Sequence, residues 1–322
     1  MTQVTTRLRL VSGKGGVGKT SVSCALALRH ARAGERVLLV STDPAHNLGH
    51  AWDTTLGDDP RRVTADLPGD HGGHDGCVDA VEIDPALVVE RHLKAVGDTL
   101  HRLLPERMHG PARRHLESAR EAPGTHESAV LERLAEVVVG AQEAYDVVVV
   151  DTAPTGHTVR LLTLPDRLAT WADGLLANRD RSERFGAALK GLGSGEEHTD
   201  RDAELRRVLV RRRERFAALR DLLVDPARTR AWLVTAAERL PVAETVSLHH
   251  DLVVLGIAVD RVVINRRSPA DGAVLTARRE LEETHLEALR TGVAGVPLHE
   301  VPLLPGDLVG QDALGRLADH LG

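Results

Sequence analysis

Sulfur and aromatic groups are nearly missing from this sequence. Its 322 residues hold two cysteines, Cys24 and Cys77, and two methionines, Met1 and Met108. Two isolated cysteines give neither a disulfide framework nor a C-x-x-C metal motif. Aromatics make up 2% of the chain, so the core has to be built from Val, Leu, Ile and Ala, for which a hydrophobic content of 42% is ample. Long apolar runs are missing as well: Val147–Val150 falls far short of the ~20 residues that span a bilayer. The stretch Met1–Arg9 has no apolar segment and no cleavage pattern, so no signal peptide and a cytoplasmic location are expected. Basic residues are not in excess. With 41 Lys and Arg against 47 Asp and Glu, the net charge of -6 excludes a generally basic nucleic-acid binder. A single core seldom grows beyond roughly 250–300 residues, so one large domain carrying a subdomain is expected.

What is present begins at Leu10-Val11-Ser12-Gly13-Lys14-Gly15-Gly16-Val17-Gly18-Lys19-Thr20. An apolar run feeds a glycine-rich turn that ends in Lys-Thr at the start of a helix. Gly13, Gly18, Lys19 and Thr20 satisfy G-x-x-x-x-G-K-[ST], the phosphate-binding loop. Glycines let backbone N–H groups crowd around phosphate oxygens, and the positive end of the helix adds to this. In this pattern Lys19 reaches the β/γ-phosphates and the Thr20 hydroxyl holds Mg²⁺. A plain glycine turn would not need the Lys-Thr ending.

Ser21–Arg32 reads as the following helix, with Cys24 more simply a small buried hydrophobe than a reactive thiol, and Gly34 closing it. Val37–Val40 is a continuous apolar run, as in a strand buried on both faces of a parallel sheet. It leads into Ser41-Thr42-Asp43-Pro44-Ala45-His46-Asn47-Leu48-Gly49. Such sheets place chemistry at the carboxyl ends of their strands, which puts Asp43 near the γ-phosphate, although Asp-Pro alone is an ordinary turn signal. Asp146–Asp151 is the next buried strand and runs into Asp151-Thr152-Ala153-Pro154-Thr155-Gly156-His157-Thr158. An acid at the end of an apolar strand downstream of the phosphate loop is the Walker B arrangement, a second holder of Mg²⁺.

Between and after these strands lie helical stretches. Asp84-Pro85 opens one reaching Gly140, with breaks expected at Gly110-Pro111 and Pro123-Gly124; Leu161–Pro226 is a second, with Lys190–Asp202 expected as a mobile connection. Its arginine-rich helix reads as a solvated face except at Arg212. That residue sits on the stripe Leu205, Leu209, Phe216, Leu219 and Leu223 and calls for an anionic partner or a buried ion pair. His71 and His74 read as part of a solvated glycine-rich loop more readily than as metal ligands, since no further ligand is spaced to complete a site. Later strands are expected at Ala231–Ala236 and Arg261–Ile264, and helices at Ala270–Gly292 and Leu308–Leu321. The whole is expected to be α/β, a doubly wound and mainly parallel sheet, with helical segments 86–140 and 166–226 gathered into a subdomain within one domain over 1–322.

Lys14, inside the glycine loop, gives K-G-G-V-G-K-T, which resembles the deviant Walker A loop of the family containing ArsA, MinD, ParA and the nitrogenase iron protein. Asp-Pro-Ala-His-Asn-Leu and the octet from Asp151 narrow the resemblance to the ArsA and guided-entry ATPases, in their single-half form. Further matches are Val81-Glu82-Ile83-Asp84-Pro85, Glu238 and Asn265, and Pro302-Leu303-Leu304-Pro305-Gly306-Asp307. The resemblance implies an ATP hydrolase working as a homodimer, with Lys14 crossing to the partner's phosphates. It also implies that Asp43 orients the attacking water. Contacts to ATP are implied for Gly13, Lys14, Gly15, Gly16, Val17, Gly18, Lys19, Thr20, Ser21, Asn47, Glu238, Asn265, Pro302, Pro305 and Asp307, and to Mg²⁺ for Thr20 and Asp151.

Three roles for such an ATPase follow. It captures or releases an apolar helix or membrane-protein client, it energises arsenite or anion efflux through a membrane-embedded partner, or it is a positioning ATPase of the MinD/ParA kind. The last lacks its membrane helix here. Eukaryotic guided-entry ATPases have a zinc-binding C-x-x-C pair and a methionine-lined groove, and both are missing. An arsenite site wants three thiolates where this chain has two. The leucines Leu100, Leu103, Leu104, Leu131, Leu134, Leu175, Leu176 and Leu189 suit a client groove or ordinary core packing equally by their spacing.

Overall fold

The computed structural model describes residues 6–43, 47–65, 67, 75–103, 106–120, 125–152 and 198–322. Within these, the chain forms β1 (Arg7–Gly13), α1 (Lys19–Arg32), β2 (Arg36–Ser41), α2 (Asn47–Ala51), β3 (Arg61–Arg62), β4 (Cys77–Glu82), α3 (Pro85–Leu103), α4 (Glu106–Arg120), α5 (Thr125–Gly140) and β5 (Val147–Asp151). It continues through α6 (His198–Val224), β6 (Thr229–Ala236), α7 (Arg239–Val254), β7 (Val259–Arg267), α8 (Gly272–Gly292), β8 (Leu298–Pro302) and α9 (Gly310–Asp319).

Eight strands make one sheet in the order β3-β4-β2-β5-β1-β6-β7-β8, parallel except for the two-residue β3 at its edge. The order follows from burial. Val37–Val40 and Val147–Val150 are apolar at every position and fully covered, which only a central strand with helices on both faces allows. Helices α1 and α9 pack together over one face and share a core with Val11, Val149, Trp232 and Val263. Helices α7 and α8 pack together, and α7 lies against β1, β6 and β7. The register brings Glu82, Ser41 and Asp151 into one row across β4, β2 and β5, with Val11 of β1 beside Asp151, so the strands end level with one another. That level edge is where the expected site residues lie.

The chain divides into two compact units, one of Met1–Pro85, Gly140–Arg160 and Leu222–Gly322, the other of Ala86–Val139 and Leu161–Asp221. The sheet belongs to the first. In the second, Ala129, Val130, Leu131, Leu134, Phe216 and Leu219 are buried. No described helix is long and apolar enough to cross a membrane.

Several expectations need correction. Gly110-Pro111 does not break the chain: Pro111 lies inside α4, where it forfeits one backbone bond while the neighbouring turns continue. His198–Asp202, expected in a mobile connection, form the start of α6. Strands β3 and β8 were not foreseen, because a two-residue pair and a short edge strand with His299 and Glu300 carry no apolar run. Residues 153–197, and His71 and His74, lie outside the described residues.

Arg212 resolves into the ion-pair alternative. Its guanidinium meets Glu132 at 2.8 Å and lies 5.9 Å from the Phe216 ring centre, while its Nε is buried without a hydrogen-bond partner. Both side chains of the pair are about a fifth exposed, so neither charge is fully solvated. Glu132→Ala is expected to cost about 1–3 kcal/mol in urea denaturation, because Arg212 loses its carboxylate partner while staying largely buried. Adding Arg212→Met should return part of that loss, and strict additivity of the two changes would contradict the coupling.

Candidate active site

The phosphate loop runs from the end of β1 into α1. Gly16 and Gly18 take left-handed φ values of 82° and 95°, which ordinary side chains resist. A Cβ at Gly18 would also collide with Nδ2 of Asn265, and one at Gly13 with the carbonyl of Val234. The loop is thus pressed against the ends of β6 and β7, with only Gly15 and Gly16 exposed along its rim. Asn265 completes this closure: its Nδ2 donates to the Val17 carbonyl at 2.9 Å and its Oδ1 accepts from the Arg266 N–H at 3.0 Å.

Two side chains of α1 reach the end of β5. Thr20 Oγ1 donates to Asp151 Oδ2 at 2.8 Å and Ser23 Oγ to Oδ1 at 3.1 Å. Asp151 is wholly buried, and burial pushes its pKa up to about 6, against the pull of the Thr20 bond, Lys19 and the Ser23 bond. Lys19, also buried, donates from Nζ to the Lys14 carbonyl at 3.1 Å. Burial lowers its pKa, while the carboxylates of Asp151 and Asp43 raise it. Asp43 itself stands two residues past β2, its N–H on Ser41 Oγ at 3.2 Å. Ser12 and Thr152 share a hydroxyl contact at 2.8 Å, tying β1 to the start of the segment after β5.

A hydroxyl and a carboxylate form a hard-oxygen donor set that suits Mg²⁺, an ion that keeps several waters and takes few protein ligands. The glycine cradle that a Cβ would fill suits phosphate oxygens. Beside it lies a recess of about 320 Å³ lined by residues that include Ser21, Asn265, Arg266, Pro302, Leu303, Leu304 and Asp307. Its size and mixed lining suit a nucleoside.

Not every expected residue joins this group. Glu238 precedes α7, and its carboxylate pairs with Arg278 at 3.2 Å with both side chains more than half exposed. Asn47 is exposed at the first position of α2. Lys14 pairs instead with Glu244 of α7 at 3.3 Å. Pro44, Ala45 and His46, and Ala153–Thr158 of the second loop, lie outside the described residues. Sequence reasoning missed Ser23, Glu244 and Arg266. Only Ser23 had a signal, since three residues after Thr20 it must share that residue's helix face.

The phosphate loop, the buried acid behind it and the nucleoside-sized recess at the carboxyl edge of a parallel sheet define a nucleotide-binding α/β protein. The comparisons with known proteins narrow this to a family. The family model described as anion-transporting ATPase matches residues 6–322, and the chain belongs to this ATPase family. It is 34% identical over 316 residues to an arsenical pump-driving ATPase of Escherichia coli, an alignment covering 96% of this chain and 48% of that protein. Identity to a putative arsenical pump-driving ATPase of Aquifex aeolicus is 29%, covering 98% and 99%. Identity to the ATPase get3 of Aspergillus terreus is 32%, covering 99% and 91%. The chain spans about half the length of the arsenical pump-driving ATPases of Escherichia coli that it matches.

The raised pKa of Asp151 makes stability depend on pH with a definite sign. Below the ordinary value of 3.8 the carboxyl is protonated in folded and unfolded chains alike, and its contribution is fully present. That contribution is lost as pH rises through about 6, where the buried group ionises. In the nucleotide-free protein, the stability of Asp151→Asn relative to the parent should therefore increase by on the order of 3 kcal/mol between about pH 3.5 and 8. Urea denaturation at a series of pH values reads this directly. A difference that stays flat across the range would mean Asp151 is not strained by burial.

Proposed function

We propose that the chain binds ATP at the carboxyl edge of its sheet and hydrolyses it to ADP and phosphate. The observation that carries this reading is the meeting of Lys19, Thr20 and Asp151 at one glycine loop, with Thr20 2.8 Å from the buried Asp151. Gly13–Thr20 surround the phosphates through backbone N–H groups, and Lys19 neutralises them from the same subunit. Thr20 and Asp151 would hold Mg²⁺ directly or through water, and the ion would supply neutralisation of phosphate charge there. Asp43 orients the water for in-line attack on the γ-phosphate, a reaction in which catalysis is mostly positioning and charge neutralisation. The recess lined by Asn265, Pro302 and Asp307 takes the base and ribose, with Pro305 in the same covering loop.

The reading extends to a homodimer in which Lys14 leaves Glu244 and reaches the partner's phosphates, and in which the segments after β2 and β5 act as switches on the helical unit. This rests on the resemblance of the loop K-G-G-V-G-K-T to its family. The helical unit is then a subdomain that captures or releases an apolar helix or membrane-protein client. Leu131 and Leu134 are buried as core, and Leu104, Leu175, Leu176 and Leu189 lie outside the described residues. Coupling to arsenite efflux, with a membrane-embedded partner, is the second reading, supported by the names of the pump-driving relatives. Against it, Cys24 and Cys77 are both buried and are all the thiols this chain has.

Asp43→Asn should keep ATP binding near the parent value and lower turnover by about 100-fold, as for loss of a water-orienting group. Unchanged phosphate release at saturating ATP would remove Asp43 from the mechanism. Lys14 is tested by mixing. A dimer of one Lys14→Ala and one Asp43→Asn subunit has one doubly defective and one intact site if the lysine acts across the interface. Activity should then partly return on mixing, and no recovery in mixed dimers shown to form would count against action across the interface.

A further inference from the structure

Two neighbouring arginines at the end of β7 are used in opposite ways. Arg267 is buried and spends its guanidinium on three carboxylates, Glu282 at 2.7 Å, Glu300 at 2.8 Å and Glu283 at 2.9 Å. Arg266 is exposed and meets no carboxylate among the described residues; its one side-chain hydrogen bond runs from Nη1 to the carbonyl of Gly16, at 3.1 Å. A guanidinium carries five N–H donors, so four of them have no partner among the described residues.

The backbone is bent to put it there. Arg266 has φ 59°, one of two non-glycine residues with positive φ among those described, and the pairing of β7 with β8 is irregular between Ile264 and Arg267. Such conformations are costly for a long side chain and collect at functional sites. Alternation along the strand sets these two neighbours on opposite faces. Arg267 stays inward on its acids, and Arg266 is swung over the phosphate loop. There its Nη2 comes within 4.0 Å of where a Cβ on Gly18 would stand, and the side chain also lines the nucleoside-sized recess beside Asn265 and Pro302. A cation with unspent donors thus lies between the recess and the glycine cradle, where a nucleotide's phosphate chain begins.

We propose that Arg266 is a nucleotide-binding residue of this chain, its guanidinium engaging the phosphate chain of a nucleoside di- or triphosphate bound to the same subunit. This deepens the reading of the loop and recess as an ATP site and rests on it. Because the contact is to the part of the chain that ADP and ATP share, both ligands feel it equally.

The test is calorimetric binding of ADP and of ATP without turnover, in the parent and in R266N, R266K and R266G. Asparagine and glycine accept positive φ, so R266N and R266G keep the bend while removing the charge; R266K keeps the charge. R266N is expected to weaken ADP and ATP by about 10-fold alike, as for loss of one charge-assisted contact, and to flatten the dependence of affinity on KCl. R266K is expected to stay within about threefold of the parent, as the retained charge requires. Should R266N fail to fold, R266G carries the same expectation. Parental ADP affinity in R266N, or equal losses in R266K and R266N, would overturn the assignment. Lys19→Ala is the control. If it binds ADP poorly while R266N binds normally, only this inference falls; if it too binds normally, the reading of the loop falls with it.

Discussion

A buried carboxylate at the end of β5 fixes the geometry on which the rest of the site depends. Asp151 sits at the end of four consecutive valines, and its two oxygens accept from Thr20 and Ser23 on the first turns of α1. These bonds dock the helix that follows the phosphate loop onto the strand beside it. The arrangement is under tension, since burial alone pushes the acid toward its neutral form while Thr20, Ser23 and Lys19 hold it toward the charged one. A cation held by Thr20 and Asp151 would relieve that tension.

Around this point the packing is made of small residues. Cys24, Ala25 and Ala27 are completely buried on α1, which lets the helix lie close to β1, β4 and β5. With so few aromatics, close approach replaces bulk: the loop meets Asn265 and the carbonyl of Val234 without room for one more carbon at Gly18 or Gly13. The same economy explains how Asn265 can close the loop with both ends of one amide.

Those parts of the site that are contiguous in sequence were legible there. Gly13–Thr20, the apolar runs of β2 and β5 and the acid that ends β5 each announce themselves through composition within a few residues, and the loop and the acid lie at the carboxyl edge of the sheet. What was not legible depends on contacts between distant segments. Nothing near Glu244 says that it faces Lys14, and nothing near Arg266 separates it from Arg267. Alternation sets the two on opposite faces, but which one meets the loop and which its acids is fixed by the distant segments packed against each. Edge strand β8 escaped because its alternation is weak and ends at Pro302. The helix through Gly110-Pro111 escaped because local breaker signals are outweighed by the helix on either side.

The central claim is that Lys19, Thr20 and Asp151 form one site for a nucleotide and its metal ion. Equilibrium titration of the chain with ATP, in Mg²⁺ and again in EDTA, tests it most directly when repeated with Thr20→Ala. The account predicts that Mg²⁺ strengthens ATP binding by about tenfold or more in the parent, and that most of this gain is lost in Thr20→Ala while affinity in EDTA hardly moves. A Mg²⁺ gain of the same size with and without the Thr20 hydroxyl would contradict it.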